Sequence, residues 1–181
     1  MHAKEDTRFI VDKKTGYTPA IGRLLSMMEY TRLTTLEAVN GLTADELDYR
    51  IDGKGNSVGC LLHHMACVEE VYQIMTFEDR DPNEEEMQKL EVGLSLGEKA
   101  HQEIHHNGID FYIEQLNKVR SNTLELFKQR GDNWLDEVSP FGPDYSANNY
   151  FRWFHVFEDE LNHRGQIRLI VKHNKRKQEG K

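Results

Sequence analysis

The chain has 181 residues, 30% of them charged and 38% apolar or aromatic, and carries a formal net charge of −8. That composition is too apolar for general disorder and too acidic for a partner offering mainly a phosphate backbone. No apolar run reaches the roughly 20 residues of a membrane span, and MHAKEDTRF lacks the apolar centre of a signal peptide, so one cytoplasmic domain over 1–181 is expected.

The first helix is predicted from Thr18-Pro19, because proline suits a first helical turn, to about Asn40-Gly41. Ile21, Leu24, Leu25, Met28, Thr31, Thr35 and Val39 recur at helical spacing and form its inward stripe. Thr43 and Glu46 match a capping box for a short helical turn, and RIDGKGN then reads as a turn. Ser57 caps a second helix running to about Phe77. The polar stretch DRDPNEEEMQKLEVGLSLGEKAHQEIHHNG follows, with one short helix around Glu84 to Leu90; a connection this long suits the cover of a site or an interface.

A third helix spans about Ile109 to Arg130 on Phe111, Ile113, Leu116, Val119, Leu124 and Phe127, and GDNWLDEVSPFGPDYS breaks it with Gly and Pro. The fourth begins near Ser146 or Ala147 and reaches about Asn174, where KHNKRKQEGK reads as a solvated end whose cations suit the negative pole of the helix. No strand alternation bounded by hairpin turns is visible. The expected class is therefore all-α, an antiparallel four-helix bundle with a long, partly helical connection between helices 2 and 3. Cys60 and Cys67 lie roughly 10 Å apart on the second helix, too far for a disulfide, and read as buried reduced thiols.

Asp159 and His163 stand four residues apart on the fourth helix, so both point the same way, about 6 Å apart along the axis. One divalent ion can bridge such a pair, and a third ligand from another helix would leave open positions for chemistry. His155 is in register too, which leaves His155 with Asp159 or Asp159 with His163. On the second helix, His64 falls about 70° and His63 about 170° from the centre of the apolar stripe formed by Leu61, Leu62, Met65, Val68 and Tyr72. His64 is thus the inward candidate and His63 a surface residue. Unrelated side chains in separate polar environments would show the same spacing.

Glu69 lies on the apolar side of that helix, placed either to hydrogen-bond a ligand imidazole or a substrate, or to form an ion pair. His101, His105 and His106 sit in the polar connection without an apolar scaffold and are read as exposed. The fourth helix is apolar nearly all round in its first half, through Tyr150, Phe151, Trp153, Phe154, Val156 and Phe157, as in a central helix.

LTADELDYRIDGKGNSVGCLL, HMACVEEVY and HVFEDELNHRGQI together resemble the DinB/YfiT-like superfamily of metal-binding four-helix bundles, near the branch of thiol-dependent maleylpyruvate isomerases, over roughly Tyr17 to Asn174. The resemblance implies His64, Asp159 and His163 as ligands of nickel or zinc, with manganese and iron as further candidates. Glu69 and His155 would stand behind them. The family usually has His or Glu where this chain has Asp159, so the shorter side chain would coordinate directly, act through water, or yield to His155. The implied activity is transfer of a low-molecular-weight thiol, such as mycothiol or bacillithiol, to a small-molecule substrate. Hydrolysis by metal-activated water, or a metal-stabilised bundle without catalysis, are the other readings. A homodimer is also implied.

Overall fold

Local signals at the helix ends are met first. In this computed structural model, which describes residues 7–180, Pro19 opens α1 (Pro19–Val39) and the Thr43–Glu46 capping box opens α2 (Ala44–Asp48). The Ser57 hydroxyl accepts from the Cys60 amide at the start of α3 (Val58–Phe77). Asn83 and Glu86 form a second capping box under α4 (Glu84–Ser95), which Leu96 separates from α5 (Gly97–Glu103). Then come α6 (Ile109–Phe127), an antiparallel hairpin of β1 (Val138–Phe141) and β2 (Tyr145–Asn148), and α7 (Asn149–Glu179). The all-α bundle expected from the sequence is the architecture observed.

Residue pairs reveal how the four long helices run. Along α3 and α7 the numbers move in opposite senses, from His64 with Asp159, through Tyr72 with His155, to Thr76 with Trp153. Along α3 and α6 they rise together, from His63 with Gln115, through Glu69 with Arg120, to Gln73 with Thr123. Arg32 with Glu160 and Thr34 with Arg164 show α1 parallel to α7. The order is up, down, down, up. Two consecutive helices in one direction need a chain return, and the connection holding α4 and α5 supplies it.

A polar layer ties the four helices at mid-height. Arg32 of α1 donates to Glu160 of α7 (2.9 and 3.1 Å) and to Glu69 of α3 (3.1 Å). Arg120 of α6 donates to both Glu69 oxygens (2.6 and 3.0 Å), and the Thr123 hydroxyl donates to Glu69 Oε1 (2.7 Å). All five residues are buried. Apolar clusters lie on either side, one around Leu61, Leu62 and Leu116, the other around Leu24, Phe127 and Trp153.

Five details depart from the sequence reading. α4 runs past Leu90 to Ser95 and α5 follows it. The hairpin was not foreseen, because each strand has only four residues and one holds Pro140. Strand pairing of Ser146 and Ala147 delays α7 to Asn149, and the helix continues beyond Asn174 to Glu179. On α6 the inward aromatic is the fully buried Tyr112, and its neighbour Phe111 is exposed. Tyr112 fits against α3 because residue 59 is glycine; a Cβ there would lie 2.7 Å from the Tyr112 ring. The start of α7 is also less enclosed than expected, with Tyr150, Phe151 and Phe154 exposed on the side away from Trp153, Val156 and Phe157.

Candidate metal centre

His64, Asp159 and His163 meet where α3 crosses α7. Each offers a ligand atom, and these three atoms all lie within 4.8 Å of one another. His163 Nε2 is 3.3 Å from Asp159 Oδ1, and His64 Nε2 is 3.6 Å from Asp159 Oδ2. The two imidazole rings stand edge to face, with centroids 4.7 Å apart. For a four-coordinate ion about 2.0–2.2 Å from each ligand, neighbouring ligand atoms are roughly 3.3–3.5 Å apart. Each of the two measured separations is close to that, one to either carboxylate oxygen of Asp159. The side chains keep 10, 19 and 13% of their surface for His64, Asp159 and His163, so the cluster lies at the edge of the core with part of each side chain open to solvent.

The hydrogen-bond inventory fits a cation among these atoms. His64 Nδ1 lies 2.8 Å from the Gly93 carbonyl, which can only accept, so Nδ1 carries the proton. In the neutral ring, Nε2 then directs a lone pair towards Asp159 Oδ2, a buried oxygen without a hydrogen-bond partner. Two acceptors facing each other need a cation or a proton between them. Burial pushes the Asp159 carboxyl up, but with protons rather than a cation between the three side chains, hydrogen bonds from His163 and His64 outweigh this and hold it below the usual carboxylate range. The acid is therefore an anion across the physiological range. Gln166 Nε2 lies 3.2 Å from His163 Nδ1; turning that amide over would let its oxygen accept a proton from Nδ1 and leave His163 Nε2 free to ligate.

Among the described residues this is where the sequence candidates converge, and the others separate from it. His155 Nδ1 bonds Glu158 Oε2 (3.0 Å), and its ring packs against Tyr72 and Phe151. Glu69 takes the ion-pair alternative, enclosed by Arg32, Arg120 and Thr123 with no hydrogen bond to an imidazole. His63 is not the solvated residue its wheel position predicted. α4 covers that face of α3, and the ring is held by Gln115 at 2.8 Å beside Cys67 Sγ at 3.5 Å. His101, His105 and His106 lie outside the cluster.

Sequence reasoning missed Gly93, whose contribution is a backbone carbonyl and leaves no side-chain signature. Tyr72 is a second addition. Burial pushes its phenol up to about 12, with Arg152 opposing and Asp159 adding to the rise, so it stays protonated near the site. A groove of about 740 Å³ between the 7–17 segment and α1 shares no residue with the cluster.

Residues 23–172 match the family described as mycothiol S-transferase. The chain belongs to this family, and through it to the DinB/YfiT-like superfamily. A crystal structure of a Streptococcus pneumoniae protein is similar in fold, with a TM-score of 0.60 and 12% identity over 85% of this chain and 89% of that one. No curated protein matches the chain. As a mycothiol S-transferase family member it carries an all-α bundle, a His-Asp-His group able to hold a metal ion, and among the described residues no helix long and apolar enough to cross a membrane.

Proposed function

We propose that the chain is a metal-dependent transferase that joins a low-molecular-weight thiol to a small electrophile, with His64, Asp159 and His163 holding a divalent ion. The reading is supported above all by the convergence of those three side chains, two from α7 and one from α3, in a chain of this family. When bound, the ion would supply a Lewis acid that favours the thiolate form of an incoming thiol, the reactive nucleophile. Asp159 would lower the charge of the loaded site, and with only three protein ligands the ion would remain able to take up sulfur.

The residues around the site set the rest. The nucleophilic sulfur comes from outside, because burial and then the charge of Glu70 push the Cys67 thiol up to about 12. Tyr72 remains a neutral phenol and can donate a hydrogen bond to a leaving group. In the balanced step the thiolate sulfur forms the new bond to carbon while the leaving group departs with its electron pair. The thiol proton passes to solvent.

The test begins with elemental analysis of purified protein and titration with nickel, zinc and cobalt. Conjugation of thiols to an alkyl halide or an epoxide is then followed with and without ion. The expected result is one ion per chain, thiol-dependent product, and loss of both in His163→Ala. Turnover of esters without thiol would favour hydrolysis. Specific ion binding that raises the melting temperature, with no thiol or substrate bound, would favour a structural role.

A further inference from the structure

α4 meets the metal group at Gly93, whose carbonyl lies 2.8 Å from His64 Nδ1. A Cβ added at Gly93 would overlap Cys67 Sγ and would lie 2.9 Å from His63 Cδ2 and 3.1 Å from Cys67 Cβ, so only glycine lets α4 settle this close to α3. The surface beneath is fixed, since Gln115 holds His63 Nδ1 and turns His63 Nε2 towards Cys67. Leu90, 4% exposed, anchors the same helix between Cys67 and Ile74.

The carbonyl presented at this contact is released by the way α4 ends. In a continuing helix, the Gly93 carbonyl would accept from the Gly97 amide. Leu96, with φ 52°, breaks the helix first, and the Gly97 amide donates instead to Asn56 Oδ1 (2.9 Å). The Gly93 carbonyl is one of the last four of α4, at the negative pole of the helix, and accepts from His64 Nδ1 at 2.8 Å.

We infer that Gly93 is a positioning residue of the metal centre: its missing side chain seats α4, and its carbonyl fixes the tautomer and rotation of His64 so that Nε2 faces Asp159 and His163. This rests on the metal-binding reading above. A carbonyl or carboxylate behind a ligand imidazole typically changes metal affinity by about 10- to 100-fold. It also explains why the long connection includes a helix docked on the outer face of α3.

The experiment uses the full chain and cobalt(II) as probe. Visible absorption follows coordination, and imidazole ¹⁵N shifts of the metal-free protein follow the His64 tautomer. Wild type is expected to show the Nδ1–H form and a saturable cobalt band. Gly93→Ala is expected to raise the cobalt Kd about 10- to 100-fold, alter the band and mix the two tautomers, while the apo protein still melts cooperatively. Leu90→Ala loosens α4 without adding an atom beside His64; a rise of about threefold or more in Kd is expected, and it takes over if Gly93→Ala does not fold. Unchanged affinity, band and tautomer in a folded variant overturn the role of Gly93. If wild type binds no cobalt, nickel or zinc, the metal reading falls, and the tautomer comparison alone then decides whether Gly93 orients His64.

Discussion

Asp159 and Glu160 are adjacent on α7 and serve two different centres. The Asp159 carboxylate faces His64 and His163, whereas Glu160, about 100° further round the helix, accepts from Arg32 within the buried layer. The layer that locks the helices together is therefore one residue away from the proposed metal ligands. Rigidity at the site and stability of the bundle share a backbone segment.

Glu69 is the hub of that layer, and its removal should be severe. Glu69→Ala would leave the Arg120 guanidinium with only the Met28 carbonyl at 3.2 Å and Glu160 at 3.6 Å, and would remove one partner of Arg32, both arginines being buried. Truncating one side of a buried ion pair costs about 3–5 kcal/mol, which for a chain of this size corresponds to about 6–20 °C in Tm. Urea denaturation and calorimetry measure it. A loss below about 1 kcal/mol would mean that water reaches the layer.

The same residue sets an acid limit. Burial pushes the Glu69 carboxyl up, but Arg120, Arg32 and Thr123 more than offset this and leave it below its ordinary value of 4.5. A carboxyl depressed in the folded state contributes stability that is complete above pH 4.5 and is lost as pH falls from there through the folded value. Unfolding free energy measured by urea should therefore fall as pH is lowered from about 5. Glu69→Gln should start less stable and lose less over that interval. Parallel profiles for the two proteins would assign the acid sensitivity to other groups.

Apolar spacing and capping residues were enough to place the long helices, since Pro19, Ser57 and the inward stripe of α1 are local signals. They were also enough to choose His64 over His63 as the inward imidazole, because the wheel registers which face is apolar. What stayed hidden depends on long-range contact. Arg32 and Arg120 look like surface residues until two distant glutamates enclose them. His63 looked solvated because α4, whose docking no local pattern specifies, covers it. The parallel direction of α3 and α6 follows from the path of their connection rather than from either helix.

The two cysteines should be silent towards thiol reagents in the folded protein. Burial is the main cause that raises both thiols, Cys67 to about 12, so at pH 8 the thiolate fraction of Cys67 is about 10⁻⁴. Reaction with a disulfide reagent followed by absorbance should be slow in buffer and reach two equivalents on unfolding in guanidinium. Fast reaction of Cys67 in the folded state would show that His63, 3.5 Å away, activates it, and would bring an internal nucleophile into the mechanism.

Asp159→Asn should separate stability from ion binding. The substitution keeps the shape of the side chain and replaces the partnerless Oδ2 with a group that can donate to His64 Nε2, so two opposed acceptors become a hydrogen bond. At alkaline pH the metal-free variant should gain about 0.5–1.5 kcal/mol over metal-free wild type. It should also lose the anionic ligand, raising the Kd for zinc or cobalt at least about tenfold, or about 1.4 kcal/mol. Asp159→Glu keeps the charge but adds a methylene where Tyr72 against His155 and Trp153 against Thr76 hold α3 and α7 at fixed distance, so its affinity should fall less and its stability more. Thermal melts with and without ion read both quantities. If all three proteins gain equally from added ion, Asp159 is not a ligand and the carboxylate acts on the histidines alone.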